Sequence, residues 1–289
     1  HIGVPLTLLS FDSSLHIGVV EMGANHPKEI AALCKIVQPD FGLITNYGKA
    51  HLDGFKGIEG VRTSKSELYS FLRESSNTAI IGRWDPEQIV RSAGINQIFT
   101  PESTSLYSEI PFINFIVDGL LVKTQLTGVY NYHNALFAYA IGKLMDMIPE
   151  NIVLGIENYL PTNNRSQIIK IGKTKIILDA YNANPTSIKN ALIHFGRVVS
   201  NNKIVILGDM LELGEFSDDE HIKIAQQAID LNLDHVILVG NEFSKVKIEG
   251  VQHFRNVNDL KEWFVKKDFQ ETHFLIKGSR GIRLEKLLF

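Results

Sequence analysis

Cysteine, long apolar runs and excess charge are all scarce in this 289-residue chain. Its one cysteine, Cys34, has apolar neighbours, so we expect a buried thiol and exclude disulfides and cysteine-metal sites. No apolar run approaches the roughly 20 residues that span a bilayer, and no basic leader is seen, so we expect a cytoplasmic protein without membrane insertion. The net charge of −3, with both signs interspersed, gives no surface for nucleic acid. We therefore expect small-molecule partners.

Two glycine-rich phosphate-binding motifs are also missing. No G-x-x-x-x-G-K-[ST] loop, the turn that holds a triphosphate, occurs anywhere in the chain. No G-x-G-x-x-G follows an apolar strand pattern either. The second absence disfavours a dinucleotide-binding dehydrogenase, which is the weakest of the functions that we considered.

Short β-branched runs alternate with helical patterns through most of the chain, as is typical of βαβ units and a mainly parallel sheet. In the first part we predict strands at 16–23, 41–46 and 78–82, and helices at 27–37 and 58–72. The fold class that this rhythm indicates is α/β.

Later segments predict a hairpin, two helices and a second domain. The pair Asp118-Gly119 between two apolar runs predicts the hairpin, and helices are expected at 131–145 and 149–160. The polar segment PTNNRS (161–166) then reads as a linker. After it the alternation restarts with strands KIILDAY, KIVILGDM, HVILVG and HFLIKGSR and with helices from Pro185, near 218–231 and near 258–267. We predict two domains, residues 1–161 and 162–289.

Polar residues follow the predicted strands, where ligands collect in open α/β sheets. Glu21 follows the first strand, the 46–51 loop follows the second, and Asp179 and Asp209 end KIILD and KIVILGD. A single acid there is usually a turn or helix cap, but corresponding positions on four strands indicate a site. Glu21 suits Mg²⁺, with His51 as a second ligand or, equally, a capped loop histidine.

Eight motifs then occur in order: EMGANHPKEI, PDFGLITNYGKAHLDGF, IEGVRTSKSEL, GVYNYHNALFAYA, NNRSQI, DAYNANPTS, LGDMLELGEFSDDEH and KGSR. Together they resemble the Mur ligase superfamily over essentially the whole chain. Within it, DAYNANP, LGDMLELG and KGSR resemble the members that add D-alanyl-D-alanine. The resemblance implies an incomplete P-loop-type central domain at 1–161 and a Rossmann-like C-terminal domain at 162–289.

The resemblance also implies a reaction. ATP with Mg²⁺ would phosphorylate the terminal carboxylate of a UDP-N-acetylmuramoyl tripeptide, and the amine of D-alanyl-D-alanine would attack the acyl phosphate to form an amide. Phosphorylation supplies a leaving group, and metal ions offset the growing negative charge. The chain is thus expected to belong to a monomeric ATP-dependent peptide ligase of cell-wall precursor synthesis.

A metal set follows from the matched motif positions. Glu21 would bind one magnesium ion, His51 would bind a second, and Lys65 as a carbamate would orient magnesium. That modification turns a cation into a carboxylate and requires a neutral amine with a lowered pKa. Composition alone would instead assign Lys65 to a solvated helix face. These three residues and Arg165 are the predicted catalytic residues.

Nucleotide and substrate contacts follow from the same resemblance. Asn131 and Asn134 would contact the nucleotide, Arg165 the ATP phosphates and Asp179 the ATP ribose. The acceptor and substrate side would be lined by Asn182, Asn184, Asp209, Glu212, Lys277, Ser279 and Arg280. Two of these loops have simpler interpretations: 182–185 is compatible with a helix start capped by Asn184, and 277–280 with a serine-capped turn.

The missing triphosphate loop departs from the family pattern. We expect the sequence to begin inside the central domain and this piece to be inactive by itself, since one missing electrostatic contact costs roughly 100- to 1,000-fold in comparable sites. The alternatives are a non-catalytic partial protein, or another ligase of the superfamily, such as a folylpolyglutamate synthase-like enzyme or a tripeptide synthetase. DAYNANP argues against these relatives, which more often have a histidine in that loop.

Overall fold

The computed structural model describes residues 2–267 and 269–288, which form two compact units. The first unit runs through residue 102 and includes 136–147, and the second contains 103–135 and the chain from 148 onward. Among the described helices, none has the length and apolar character that a bilayer crossing requires. The domain division at residue 161 stays a prediction.

A three-stranded parallel sheet in the order β1-β2-β3 is the centre of the first unit. Ile30, Cys34 and Leu72 pack with Ala79 and Ile81 to cover one face of it. The elements are α1 (Gly3–Leu9), α2 (Glu29–Val37), β1 (Phe41–Leu43), α3 (Leu52–Phe55), α4 (Ile58–Lys65), α5 (Glu67–Glu74), β2 (Thr78–Ile81), α6 (Pro86–Arg91) and β3 (Asn96–Phe99).

Two predictions for the first unit are wrong. Residues 16–23 form no strand and are mostly exposed, because none of the described strands pairs with them and an apolar run becomes a strand only beside a partner. Glu21 therefore does not end a strand. The helix predicted at 58–72 is two helices, α4 and α5, separated at Ser66.

The second unit opens with an antiparallel sheet in the order β4-β5-β6. The predicted hairpin is confirmed: Asp118 and Gly119 have φ of 49° and 81°, as a two-residue type I′ turn requires. The elements of this region are β4 (Thr104–Ser108), β5 (Asn114–Val117), β6 (Leu120–Lys123), α7 (Val129–Leu144), whose second half belongs to the first unit, and α8 (Pro149–Glu157).

A six-stranded sheet follows, in the order β11-β10-β9-β12-β8-β7. All its neighbours are parallel except β7 and β8, which form a hairpin. The elements are β7 (Gln167–Ile171), β8 (Thr174–Asp179), α9 (Pro185–Arg197), β9 (Asn202–Gly208), α10 (Ser217–Ile229), β10 (His235–Val239), β11 (Val251–Phe254), α11 (Val257–Phe264) and β12 (Thr272–Lys277).

The predicted alternation of strands and helices in the last 125 or so residues is confirmed. The central strands of the sheet explain why the sequence showed this pattern. Strands β9, β10 and β12 are continuous apolar runs because helices cover both faces of a parallel sheet, and Ile206, Ile237 and Ile276 are fully buried. Strands β7 and β11 were not predicted; both lie at sheet edges, and polar residues keep each of them from being a continuous apolar run. The carboxyl ends of β8, β9 and β12 share one edge.

Candidate nucleotide and metal site

Lys65 ends α4, and its amine is held by the loop that follows β1. The Nζ atom donates to the Asn46 carbonyl oxygen at 2.7 Å. Asn46 in turn accepts the Gly48 N–H through its side-chain oxygen at 2.8 Å, which fixes the loop as an Asx turn. Burial lowers the pKa of Lys65 to about 8. The amine is therefore neutral in a sizeable fraction of molecules near neutral pH, as a carbamate requires.

His51 and Glu21 are the other two residues of the predicted metal set. His51 precedes α3 in the left-handed conformation, with φ of 52°, and its ring meets Phe55 edge-on at 6.4 Å between centroids. Glu21 is exposed on the irregular 16–23 segment. Among the described residues, no three His, Cys, Asp or Glu side chains converge as a metal site. The predicted set contains only two such residues, with the Lys65 carbamate as the third, so the magnesium set stays a prediction.

Glu67 lies two residues after Lys65 and was not singled out from the sequence. Its carboxylate accepts the backbone N–H groups of Lys28 at 2.7 Å and Ala31 at 2.9 Å, at the start of α2. A negative charge is favourable at a helix N-terminus, so Glu67 anchors α2 to α5. Both partners lie more than 35 residues away, so local sequence gave no signal for this contact.

In the second unit, the predicted nucleotide residues of α7 share one helix face. The Asn131 amide donates to the Thr127 carbonyl at 2.8 Å, and the Asn134 amide donates to Asn131 Oδ1 at 3.2 Å. Their spacing of three residues places both side chains on adjacent turns. Asn134 is exposed, and its side-chain oxygen is accessible to a ligand.

Arg165 lies in the 161–166 linker and stacks on an aromatic ring. Its guanidinium carbon is 4.1 Å from the centroid of Tyr181, within cation–π range. The linker turns sharply here, because Asn163, Asn164 and Ser166 all have positive φ, between 48° and 57°. Tyr181 lies inside the DAYNANP motif, so the sequence pointed to this segment, although Tyr181 itself was not predicted as a site residue.

The linker is also fastened to α7. Ser166 Oγ and the Tyr130 hydroxyl are 2.6 Å apart, and both line a cavity of about 10 Å³, room for roughly one water. Asp179 and His194 line the same cavity. Burial raises the pKa of Tyr130 and lowers that of His194. The cavity therefore favours the neutral forms of both side chains.

Asp179 ends β8 and is paired with Lys277, which ends β12. Lys277 Nζ donates to Asp179 Oδ2 at 2.7 Å and to the Asn182 carbonyl at 3.2 Å. The Lys277 side chain is 3% exposed and the Asp179 side chain 14% exposed. The Lys277 amine is thus buried and bonded within the protein, and its predicted contact with substrate stays a prediction.

Asp209, which follows β9, holds the loop after β10 in place. Its two carboxylate oxygens accept the N–H groups of Glu242 and Phe243, both at 2.9 Å, and its side chain is 4% exposed. Gly240, with φ of 126°, passes so close that an added Cβ would lie 2.2 Å from Asp209 Oδ2. Asp209 therefore has a structural role here, and its predicted contact with substrate stays a prediction.

Ser279 joins three loops at this edge. Its Oγ accepts the Leu211 N–H at 3.0 Å and donates to the Ala183 carbonyl at 3.4 Å, and its own N–H donates to the Asp209 carbonyl at 3.2 Å. Ser279 is 4% exposed and bridges these loops, and its predicted contact with substrate stays a prediction.

Of the remaining predicted substrate residues, some make hydrogen bonds or ion pairs with residues close in sequence, and others are exposed. Asn184 caps α9 in a reciprocal capping box with Ser187, which confirms the helix-start interpretation. The Asn182 side-chain oxygen accepts the Ala183 N–H at 2.8 Å. Glu212 is exposed, and Arg280 forms a 3.2 Å ion pair with Glu285. A substrate role for each of these residues stays a prediction.

A cavity of about 440 Å³ also lies in the second unit, lined by Phe264, Phe269 and Phe274 among others. It is found at the amino ends of β8 and β12. Asp179 and Lys277 lie at the carboxyl ends of these strands, where ligands bind in open α/β sheets. We therefore assign the candidate site to the carboxyl edge, despite the greater volume of this cavity.

Comparison with known proteins agrees with the arrangement of motifs. The model of the Mur ligase middle domain matches residues 1–142, and that of the Mur ligase glutamate ligase domain matches residues 164–280. The chain belongs to the Mur ligase family. The α/β fold expected from that family is confirmed.

Individual relatives extend over the same length. UDP-N-acetylmuramoyl-tripeptide--D-alanyl-D-alanine ligases of two Buchnera aphidicola subspecies are 31% and 30% identical, covering 100% of this chain and 66% and 68% of their own. A crystal structure of MurF from Acinetobacter baumannii is 27% identical with a TM-score of 0.87, covering 99% of this chain and 67% of that one. This Mur ligase chain spans about two thirds of the length of its relatives.

Proposed function

We propose that the protein containing this chain is an ATP-dependent amide ligase that adds D-alanyl-D-alanine to a UDP-N-acetylmuramoyl tripeptide. The similarity to D-alanyl-D-alanine ligases along the whole chain, at about 30% identity, is the observation on which the proposal depends. Both substrates would be small molecules, and we expect the reaction to take place in the cytoplasm and the protein to act as a monomer.

The reaction joins two molecules through a phosphorylated intermediate. A carboxylate oxygen of the tripeptide attacks the γ-phosphorus of ATP and ADP leaves. The amine of D-alanyl-D-alanine then attacks the carbonyl carbon, and the tetrahedral intermediate expels phosphate as it loses a proton. Positioning and charge stabilisation provide most of the catalysis in such a transfer.

Glu21 would hold one magnesium ion and His51 a second, and Lys65 as a carbamate would orient magnesium. The lowered pKa of Lys65 supports this role, because the neutral amine combines with carbon dioxide and the ammonium form does not. When bound, magnesium offsets negative charge on the transferred phosphoryl group. Its donors here would be oxygen and imidazole ligands, of which the oxygens are the type that magnesium prefers.

The residues of the second unit would bind the nucleotide. Arg165 presents a planar fork that matches phosphate oxygens, and the stack on Tyr181 restricts the orientations that it can adopt. Asp179 offers a carboxylate at the sheet edge for hydroxyl groups of the ribose. Asn134 offers an exposed amide, whose donor and acceptor suit the edge of a base.

The test is ATP-dependent phosphate release by the full-length protein with the UDP-linked tripeptide. D-alanyl-D-alanine, glutamate and diaminopimelate are compared as acceptors. We expect rapid phosphate release, with formation of the UDP-linked pentapeptide, only with D-alanyl-D-alanine. A faster rate with another amine would assign the protein to a different ligase of the family, and no release with any amine would refute the ligase.

A further inference from the structure

The pair formed by Lys277 and Asp179 lies where two adjacent parallel strands end. Lys277 and Asp179 are register partners of β12 and β8, so the contact crosses directly between neighbouring strands. The Lys277 side chain is 3% exposed. A buried ammonium is costly unless its charge is paired and its N–H groups find acceptors, and here a carboxylate and a carbonyl accept two of its three N–H groups.

The two oxygens of Asp179 differ in what they contact. Oδ2 accepts from Lys277 at 2.7 Å. Oδ1 accepts no hydrogen bond from the described residues and is not fully enclosed by them, and the Asp179 side chain as a whole is 14% exposed. An ion pair through one oxygen fixes the rotation of the carboxylate and leaves the second oxygen in a defined position.

Lys277 also fixes the backbone next to Asp179. Its second bond goes to the carbonyl of Asn182, three residues after the acid. The same amine thus holds the end of β8 and the loop that leaves it. Because one side chain makes both contacts, its removal would release the acid and the Asn182 carbonyl at the same time.

We propose that Lys277 is a positioning residue that orients Asp179 so that Oδ1 accepts hydrogen bonds from the vicinal hydroxyls of a nucleotide ribose. This proposal rests on the proposed function for the nucleotide, and it assigns Lys277 a role other than substrate contact. A carboxylate that accepts a hydroxyl hydrogen bond contributes about 1.5–3 kcal/mol, which is roughly 10- to 100-fold in affinity.

The test measures equilibrium binding of ATP and of 2′,3′-dideoxy-ATP to the full-length protein and its variants. The wild type should bind ATP at least about tenfold more tightly than the dideoxy analogue. Lys277→Met should weaken ATP binding about tenfold and leave the analogue unchanged, so that the preference disappears. Asp179→Ala should do the same, and the double variant should bind ATP no more weakly than either single variant.

A matched control is Lys203→Met. Lys203 starts β9 at the opposite end of the sheet and donates to the Gly196 carbonyl at 3.0 Å, so it tests the loss of a lysine that bonds to the backbone away from Asp179. It should leave the ribose preference intact. If Lys277→Met does not fold, Lys277→Gln, whose neutral amide can still donate hydrogen bonds, should show a reduced but measurable preference.

Several results would overturn the role of Lys277. One is an equal loss of affinity for both nucleotides, and another is an unchanged preference for ATP in Lys277→Met or, when that variant does not fold, in Lys277→Gln. Additive effects of the Lys277 and Asp179 substitutions, or a wild type without any preference for ATP, would overturn it as well. Because nucleotide binding is read directly, a wild type that prefers ATP but fails to join D-alanyl-D-alanine would refute the proposed function and leave this test intact.

Discussion

The charged residues predicted for the two units are held in different ways. In the second unit Asp179, Asp209 and Lys277 are nearly buried, and each makes hydrogen bonds within the same sheet edge. In the first unit Glu21 is exposed on an irregular segment, while Lys65 makes one bond to a loop carbonyl. The comparison indicates that, in the second unit, hydrogen bonds within the protein hold the carboxyl ends of the strands in place. In the first unit, the predicted metal set would be completed only by its ligands.

The sharpest test of the first unit is Lys65→Ala. If the carbamate organises magnesium, this variant of the full-length protein should lose at least about 100-fold in rate, since a charged group at the transferred phosphoryl is removed. Phosphate release measures the loss, and short carboxylates added to the assay should restore part of the rate.

Lys35→Ala, an exposed lysine in the last turn of α2, is the matched control and should keep the wild-type rate. An undiminished rate in Lys65→Ala would show that the first unit has no such set, and the contrast between the units would disappear.

For the second unit, Asp209→Ala should produce the largest loss of stability. Two backbone N–H groups would lose a charged, buried acceptor, so we expect the free energy of unfolding to fall by about 3 kcal/mol. Urea denaturation measures the change. In the control, Asp234→Ala, an exposed carboxylate that accepts one N–H is removed, and the loss should be about 1 kcal/mol or less. Equal losses would contradict the view that hydrogen bonds hold these strand ends in place.

Ser279→Ala should have a smaller effect. The Leu211 N–H would lose its acceptor at a partly buried position, which costs about 1–2 kcal/mol in unfolding free energy. The same denaturation experiment applies. Ser200→Ala removes an exposed hydroxyl that bonds only to the nearby Asn202 carbonyl, and it should change stability by less than about 0.5 kcal/mol. If the two substitutions changed the unfolding free energy equally, the contacts of Ser279 between the loops would not stabilise the fold.

The smallest effect concerns pH and His194. Burial lowers the pKa of this histidine in the folded protein, so the unfolded chain takes up the proton first as pH falls. Stability should therefore fall as the pH drops through the ordinary histidine pKa of about 6.5, by less than about 1 kcal/mol. His194→Gln should flatten the pH profile of unfolding between pH 7 and 5, whereas His16→Gln, at an exposed position, should not. If His194→Gln left the slope of unfolding free energy against pH unchanged, His194 would not be the source of this pH dependence.

The alternating pattern of the second unit could be predicted because each buried strand is a continuous apolar run that parallel packing explains. The same pattern failed at 16–23, since an apolar run cannot show whether a strand lies beside it. For the site, sequence located acids at strand ends but could not separate their roles. Asp209 caps amides 33 and 34 residues away, and only the fold brings those amides to it.

The turn before β7 shows how little sequence can set the course of a chain. Asn163 and Asn164 adopt left-handed backbone angles that their short amide side chains tolerate better than most residues do. Two glycines could follow the same course, whereas two valines would be forced out of it and would redirect the polypeptide just before Arg165. The direction from which that guanidinium approaches its ring is thus encoded by the stereochemistry of its neighbours.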